Sequence, residues 1–201
     1  MFEDDVFELL AKVREKKPVV HHITNYVTVN DCANITLAVG ASPIMAHAPE
    51  EIGEIVNLAG AVVLNIGTLD KAQIETMTLA AEKARELKKP VVLDAVGAGA
   101  TKFRTKTAKK LISRPGLVTI VKGNASEIGA LAGAEAKTKG VDEGTIKGTP
   151  KEIARMLNKK VGITTVVTGA QDVCVGVGGT YLVNNGTARM RSITGTGCMA
   201  T

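Results

Sequence analysis

Tryptophan is absent from this 201-residue sequence, which has only two tyrosines and three phenylalanines. Single-strand nucleic-acid binders stack bases on aromatic rings, so that class loses its platform. The net charge of +5 does not restore it. The lysines fall on helix-like stretches (Lys83 to Lys89, Lys102 to Lys110, Lys159 and Lys160), as a solvated face would have them. Cysteine is scarce as well. Cys32, Cys174 and Cys198 are odd in number and lack metal-ligand spacing, which excludes a disulfide framework and a zinc site and points to a reducing cytoplasm. No apolar run reaches the roughly eighteen residues of a membrane helix. The opening Met1-Phe2-Glu3-Asp4-Asp5 is acidic where a secretory signal is basic.

What remains is a chain rich in Val, Ile, Leu, Ala and Gly, long enough for one sizeable core. Residues 3–16 have helical periodicity, with Val6, Leu9, Leu10 and Val13 on one face. Residues 19–23 read as a strand, 28–39 as a helix closed by Gly40, and 42–47 as an extended piece. Pro49 opens the next helix.

Four apolar runs follow, each ending on glycine or a polar residue. They are 61–64 into Asn65-Ile66-Gly67, 91–93 into Asp94, 118–121 into Lys122-Gly123-Asn124, and 164–167 into Thr168-Gly169. Continuous apolar runs mark strands buried on both faces, and helical stretches (70–88, 104–113, 124–133, 149–160) separate them. This alternation predicts an α/β fold of three layers, αβα, around a mostly parallel sheet. Ligands bind such sheets beyond the carboxyl ends of the strands. The runs 173–177, 180–183 and 187–190, joined by Gly178-Gly179 and Asn184-Asn185-Gly186, predict antiparallel strands near the C-terminal end.

Several stretches carry chemistry. Asp94 stands at a strand mouth before the loop Gly97-Ala98-Gly99-Ala100-Thr101, where a carboxylate holds Mg²⁺ beside phosphate or simply caps a turn. The loop spells neither a P-loop nor a dinucleotide fingerprint. Asn124-Ala125-Ser126-Glu127 spells a capping box, and Glu127 can still face a metal from there. His21 and His22 are neighbours in a strand, so they point to opposite faces and cannot share one ion. Asn25 either meets a ligand or caps the next helix. Gly195-Thr196-Gly197-Cys198 is a turn able to aim successive N–H groups at an anion, with a thiol at its mouth.

In order along the chain, His21 to Val27, Ser42 to Met45, Asn65 to Thr68, Asp94 to Thr101, Lys122 to Ile128, Val167 to Gly169 and Gly195 to Cys198 resemble the hydroxyethylthiazole kinases. The resemblance implies a ribokinase-like fold and Mg²⁺-dependent transfer of the γ-phosphoryl of ATP to the alcohol of 4-methyl-5-(2-hydroxyethyl)thiazole, in thiamine salvage. It implies an alcohol pocket at Asn25, Met45, Gly67 and Gly195, ATP contacts at Lys122, Thr168 and Gly169, and metal-associated carboxylates at Asp94 and Glu127. Gly195, Thr196 and Gly197 would form the anion hole beside Cys198, which stands where sugar kinases of this fold carry an aspartate base. A homotrimer with sites between subunits is implied too, with no nucleic-acid or membrane partner. The alternatives are a kinase of another vitamin precursor, such as the hydroxymethylpyrimidine, and a silent ligand-binding domain. Two departures from the family pattern stand out. Ala95 replaces a usual proline, which predicts a looser loop after Asp94. Family members also continue through further helices, so residues 1–201 are expected to form a single kinase domain lacking its C-terminal helices.

Overall fold

The computed structural model describes residues 2–134 and 148–201. Its helices are α1 (Phe2–Lys16), α2 (Val29–Val39), α3 (Ile52–Leu58), α4 (Lys71–Glu86), α5 (Lys102–Ile112), α6 (Ala125–Ala132), α7 (Pro150–Val161) and α8 (Thr196–Met199). The strands are β1 (Val19–Ile23), β2 (Ser42–Ile44), β3 (Ala61–Asn65), β4 (Val91–Asp94), β5 (Ile120–Asn124), β6 (Thr164–Thr168), β7 (Asp172–Gly176) and β8 (Gly179–Val183). They form one sheet in the order β2-β1-β3-β4-β5-β6-β7-β8, parallel from β2 through β6 and antiparallel thereafter. Helices cover both sides. The predicted three-layer α/β architecture is the one observed.

The apolar runs bury as their composition demands. Val62, Leu64, Leu93 and Val121 are fully enclosed, packed with Met77, Ala80, Ala81 and Leu111 of the covering helices. Alanines along α4 let that helix lie close on the sheet. Pro43 falls on the edge strand β2, where its missing N–H leaves no gap in the ladder.

The strand order fixes the site. From β1 the chain moves outward to β2, then crosses back to β3 and proceeds to β8. The reversal lies between β1 and β3, and at such a switch point connecting loops diverge and leave a crevice. Asn25 follows β1, and Asn65 closes β3.

Three predicted elements differ. The strand expected at 118–121 runs from Ile120 to Asn124, because Thr119 Oγ1 accepts the Val91 N–H and removes one ladder position. The helix expected from Pro49 begins at Ile52, after a turn in which the Glu51 amide donates to the Ala48 carbonyl. Residues 187–190, expected as a strand, pass into a 3₁₀ turn at Ala188–Ser192 with Met190 N–H donating to Thr187 O, so 184–186 is no hairpin. The predicted apolar face of α1 is only partly used, since Val6 and Leu9 remain exposed.

Candidate active site

At the sheet's carboxyl ends, parallel register sets Asn65 opposite Asp94, Asp94 opposite Lys122, and Asn124 opposite Thr168. Four of the residues that cluster here are almost wholly enclosed: Asn25 (3% exposed), Asn65 (1%), Asp94 (1%) and Lys122 (4%). Buried polar groups need partners, and these supply one another.

Three donors converge on Asp94 Oδ2: the Asn65 amide at 2.9 Å, the Lys122 ammonium at 3.3 Å and the Thr201 hydroxyl at 2.9 Å. Asn65 Oδ1 accepts from Asn25 Nδ2 at 3.0 Å and from the Gly67 amide at 3.0 Å. Asn25 Nδ2 also reaches Cys198 Sγ at 3.4 Å, while Asn25 Oδ1 accepts the Val27 and Thr28 amides and the Thr28 hydroxyl. Asn25 therefore holds the turn before α2 and the thiol at once.

The glycine turn closes over this network. Gly195 adopts φ +90° and caps α8, and a Cβ there would run into Thr28. Lys122 Nζ donates to the Gly197 carbonyl and to Thr201 Oγ1. The amides of Thr196, Gly197 and Cys198 have no acceptor among the described residues, as the first turn of a helix leaves them.

Glu127 performs both tasks the sequence offers. It closes the capping box of α6, with Oε2 accepting the Asn124 amide at 2.8 Å and its own amide donating to Asn124 Oδ1. Its Oε1 accepts the Gly97 amide at 2.7 Å. The loop after Asp94, expected to be looser with Ala95, is held by hydrogen bonds. The Ala95 N–H, which a proline would lack, donates to Lys122 O at 2.9 Å, and Gly99 N–H donates to Thr105 Oγ1 at 2.8 Å.

Burial pushes the Asp94 carboxyl above its ordinary range, against the pull of Lys122 and the donors on Oδ2. Burial likewise raises Glu127, opposed by the Gly97 and Asn124 amides, and the Asp94 charge raises it further. These two acids, sharing one loop beside a lysine, suit a Mg²⁺ ion, which takes one or two carboxylates and keeps several waters. No cluster of three acidic, histidine or cysteine groups exists among the described residues, so a closed all-protein metal cage is not what they form.

Other predicted residues lie outside this network. Thr168 and Gly169 border a cleft of about 320 Å³ with Ala125, Pro150, Lys151 and Gln171, one strand beyond Glu127. Met45 is half-buried beyond β2, and no bond joins it to Asp94; the next residue, Ala46, offers its carbonyl to His21 Nε2 at 2.8 Å. His22 turns to the opposite side, with Nε2 3.1 Å from Thr36 Oγ1. The Thr36 hydroxyl donates to Cys32 O at 2.7 Å, so the hydrogen between the two belongs to His22 Nε2. Thr201, and Arg104 with its Nη2 donating to the Gly67 carbonyl at 2.6 Å, belong here but escape the sequence motifs. Asn65 had one visible signal, its place at the mouth of a buried strand, the same as that of Asp94.

Comparison with known proteins fits this geometry. Residues 10–201 match the model of the hydroxyethylthiazole kinase family. A hydroxyethylthiazole kinase from Methanocella arvoryzae is 54% identical over 192 residues, which cover 96% of this chain and 72% of the relative. The solved structure of hydroxyethylthiazole kinase from Pyrococcus horikoshii superposes with a TM-score of 0.87 at 45% identity, covering 98% of this chain and 73% of the other. A ribokinase-like protein from Enterococcus faecalis shares the fold alone, with a TM-score of 0.58 at 13% identity, covering 90% of this chain and 67% of that one. With the family model matched over residues 10–201 and a relative 54% identical over 96% of this chain's length, the chain belongs to the hydroxyethylthiazole kinase family.

Proposed function

We propose that this enzyme transfers the γ-phosphoryl group of ATP to the hydroxyl of 4-methyl-5-(2-hydroxyethyl)thiazole, a step of thiamine salvage, with Mg²⁺ as cofactor. One observation carries the proposal: Asp94, Lys122, Asn25 and the Gly195–Cys198 turn converge on one point at the switch crevice. The alcohol lies against Asn25, Gly67 and Gly195, with Met45 at the outer wall. Lys122, Thr168 and Gly169 hold the nucleotide, whose base occupies the cleft beside α7. Asp94 and Glu127 hold the ion, which supplies neutralisation of phosphate charge when bound. As the alcohol oxygen bonds to phosphorus, the β–γ bridging bond breaks and ADP leaves with the electron pair. The hydroxyl proton passes to Cys198 Sγ, which enters the step as the thiolate and leaves it as the thiol, while the free amides of Thr196, Gly197 and Cys198 steady the transferring group. Phosphoryl transfer depends more on positioning and charge than on a strong base, so Cys198 contributes modestly.

Tyr26 and Val27 follow Asn25 directly, and both are about two-thirds exposed (64% and 65%). An apolar pair left bare at the mouth of a site suits a pocket completed by a second chain, and we propose a homotrimer with intersubunit sites. The free thiols Cys32, Cys174 and Cys198 suit a reducing cytoplasm.

The test is incubation with ATP, Mg²⁺ and the thiazole alcohol, with mass detection of the phosphate ester and the hydroxymethylpyrimidine as rival acceptor. Ester from the thiazole that disappears on chelation supports the proposal; ester from the pyrimidine alone overturns it. Cys198→Ser is expected to lower kcat about tenfold, whereas Asp94→Asn lowers it by roughly 10² or more. Complete loss in folded Cys198→Ser would overturn the assigned division of labour. Light scattering checks the trimer.

A further inference from the structure

Arg104 is the one arginine of α5, in the third position of the helix. Thr101 caps that helix, its Oγ1 accepting the Arg104 amide at 3.2 Å. Side chains on a helix lean toward its N-terminus, so an arginine three residues past the cap is carried back over the loop it came from. Two contacts result. Arg104 Nη2 donates to the Gly67 carbonyl at 2.6 Å, and the guanidinium lies over Gly97, in the space a Cβ would need. Gly67 follows β3 and Gly97 follows β4, so one side chain ties together the two loops that leave Asn65 and Asp94.

Each tied residue is already committed to the site on its other side. The Gly67 amide donates to Asn65 Oδ1, and a Cβ at Gly67 would sit 3.0 Å from Asn25 Cβ and 3.0 Å from Asn65 Oδ1. The Gly97 amide donates to Glu127 Oε1. Among the described residues no carboxylate pairs with Arg104, so neutralising a neighbouring acid does not account for its placement. A half-buried guanidinium is a rigid planar fork, suited to bridging two backbone segments.

We infer that Arg104 is a positioning residue for the alcohol pocket: it clamps the Gly67 and Gly97 loops and so fixes the Asn25–Asn65–Asp94 line. The assignment of the pocket rests on the kinase reading above; the clamp itself does not. Arg104 acts through Gly67, on the alcohol side of the site, and the nucleotide cleft lies beyond β5.

The test compares wild type with Arg104→Ala and Arg104→Lys in two measurements. Amide hydrogen exchange at residues 66–68 and 96–99 is expected to quicken at least tenfold in Arg104→Ala. In kinetics, KM for the alcohol rises about tenfold while KM for ATP stays within twofold. Free guanidinium ion at millimolar concentration restores part of the loss in Arg104→Ala. Arg104→Lys keeps a donor for Gly67 but no plane over Gly97, so it falls between the two and remains measurable if the alanine variant folds poorly. Unchanged exchange in both loops overturns the clamp, and a rise in both KM values together overturns its assignment to the alcohol side. Wild-type protein inactive on the alcohol would sink the kinase reading and the pocket role, while the exchange measurement still decides the clamp.

Discussion

Replacing Gly195 by alanine should break the turn that closes the site, and a second substitution should partly mend it. Two costs arise from the single change. The backbone at φ +90° lies in the left-handed region, where a Cβ costs about 1–2 kcal/mol. The new methyl also overlaps Thr28 Cγ2 and comes within 3.3 Å of Thr28 Cβ. Thr28 is 2% exposed and tied to Asn25, so it cannot swing away, and forced overlap of this kind costs about 1–3 kcal/mol. Gly195→Ala alone should therefore destabilise by about 3 kcal/mol. Thr28→Ser deletes the offending methyl but keeps the hydroxyl that bonds Asn25 Oδ1; alone it costs about 1 kcal/mol of lost burial. In the double variant the overlap is gone and only the backbone cost of Gly195→Ala remains. Urea denaturation of the four proteins should thus give a coupling energy of about 1–2 kcal/mol in favour of the double variant. The kcat of Gly195→Ala should fall more than tenfold and recover in part with Thr28→Ser. Strictly additive stabilities would refute the argument that these two residues compete for one space.

Two further outcomes are expected. His22, buried in β1, has its pKa lowered to about 4, chiefly by desolvation. A depressed histidine leaves the folded state refusing a proton that the unfolded chain accepts, so its stabilisation is complete above pH 6.5 and is lost as pH falls toward 4. Between pH 7 and pH 5 this amounts to about 2 kcal/mol, and His22→Gln, which keeps a donor for Thr36, should lose that much less in denaturation melts over the same interval. Glu127→Gln exchanges one acceptor for a donor facing a backbone N–H. That should cost about 2 kcal/mol in urea melts, and an unchanged midpoint would show that the two amide bonds carry no net weight.

The parallel half of the sheet is legible because burial on two faces requires Val, Ile and Leu in unbroken runs, and loops at their ends require glycine or polar residues. Asp94 and Glu127 were visible for the same reason, one at a strand mouth and one in a capping box. Residues 187–190 misled because Thr187-Ala188-Arg189-Met190 alternates as a strand does, but β8 ends the sheet and no strand among the described residues receives it. Val118 and Thr119 look like strand, yet the Thr119 hydroxyl takes a bond the ladder would have made. Asn65 was visible only as a strand mouth, and Arg104 not at all, for a different reason. Their importance comes from partners 29 and 37 residues away, and no local pattern encodes such distances.

An amide differs at its two ends, one giving hydrogen and one receiving it. In the run Thr28 to Asn25 to Asn65 to Asp94, every hydrogen points toward the carboxylate. The run therefore has a direction, and turning over either asparagine alone would set oxygen against oxygen or nitrogen against nitrogen. Neither amide titrates, so this aligned row of dipoles keeps its sense wherever the chain stays folded. A residue on the far side of the crevice thus takes part in holding negative charge at the sheet, with no formal charge of its own.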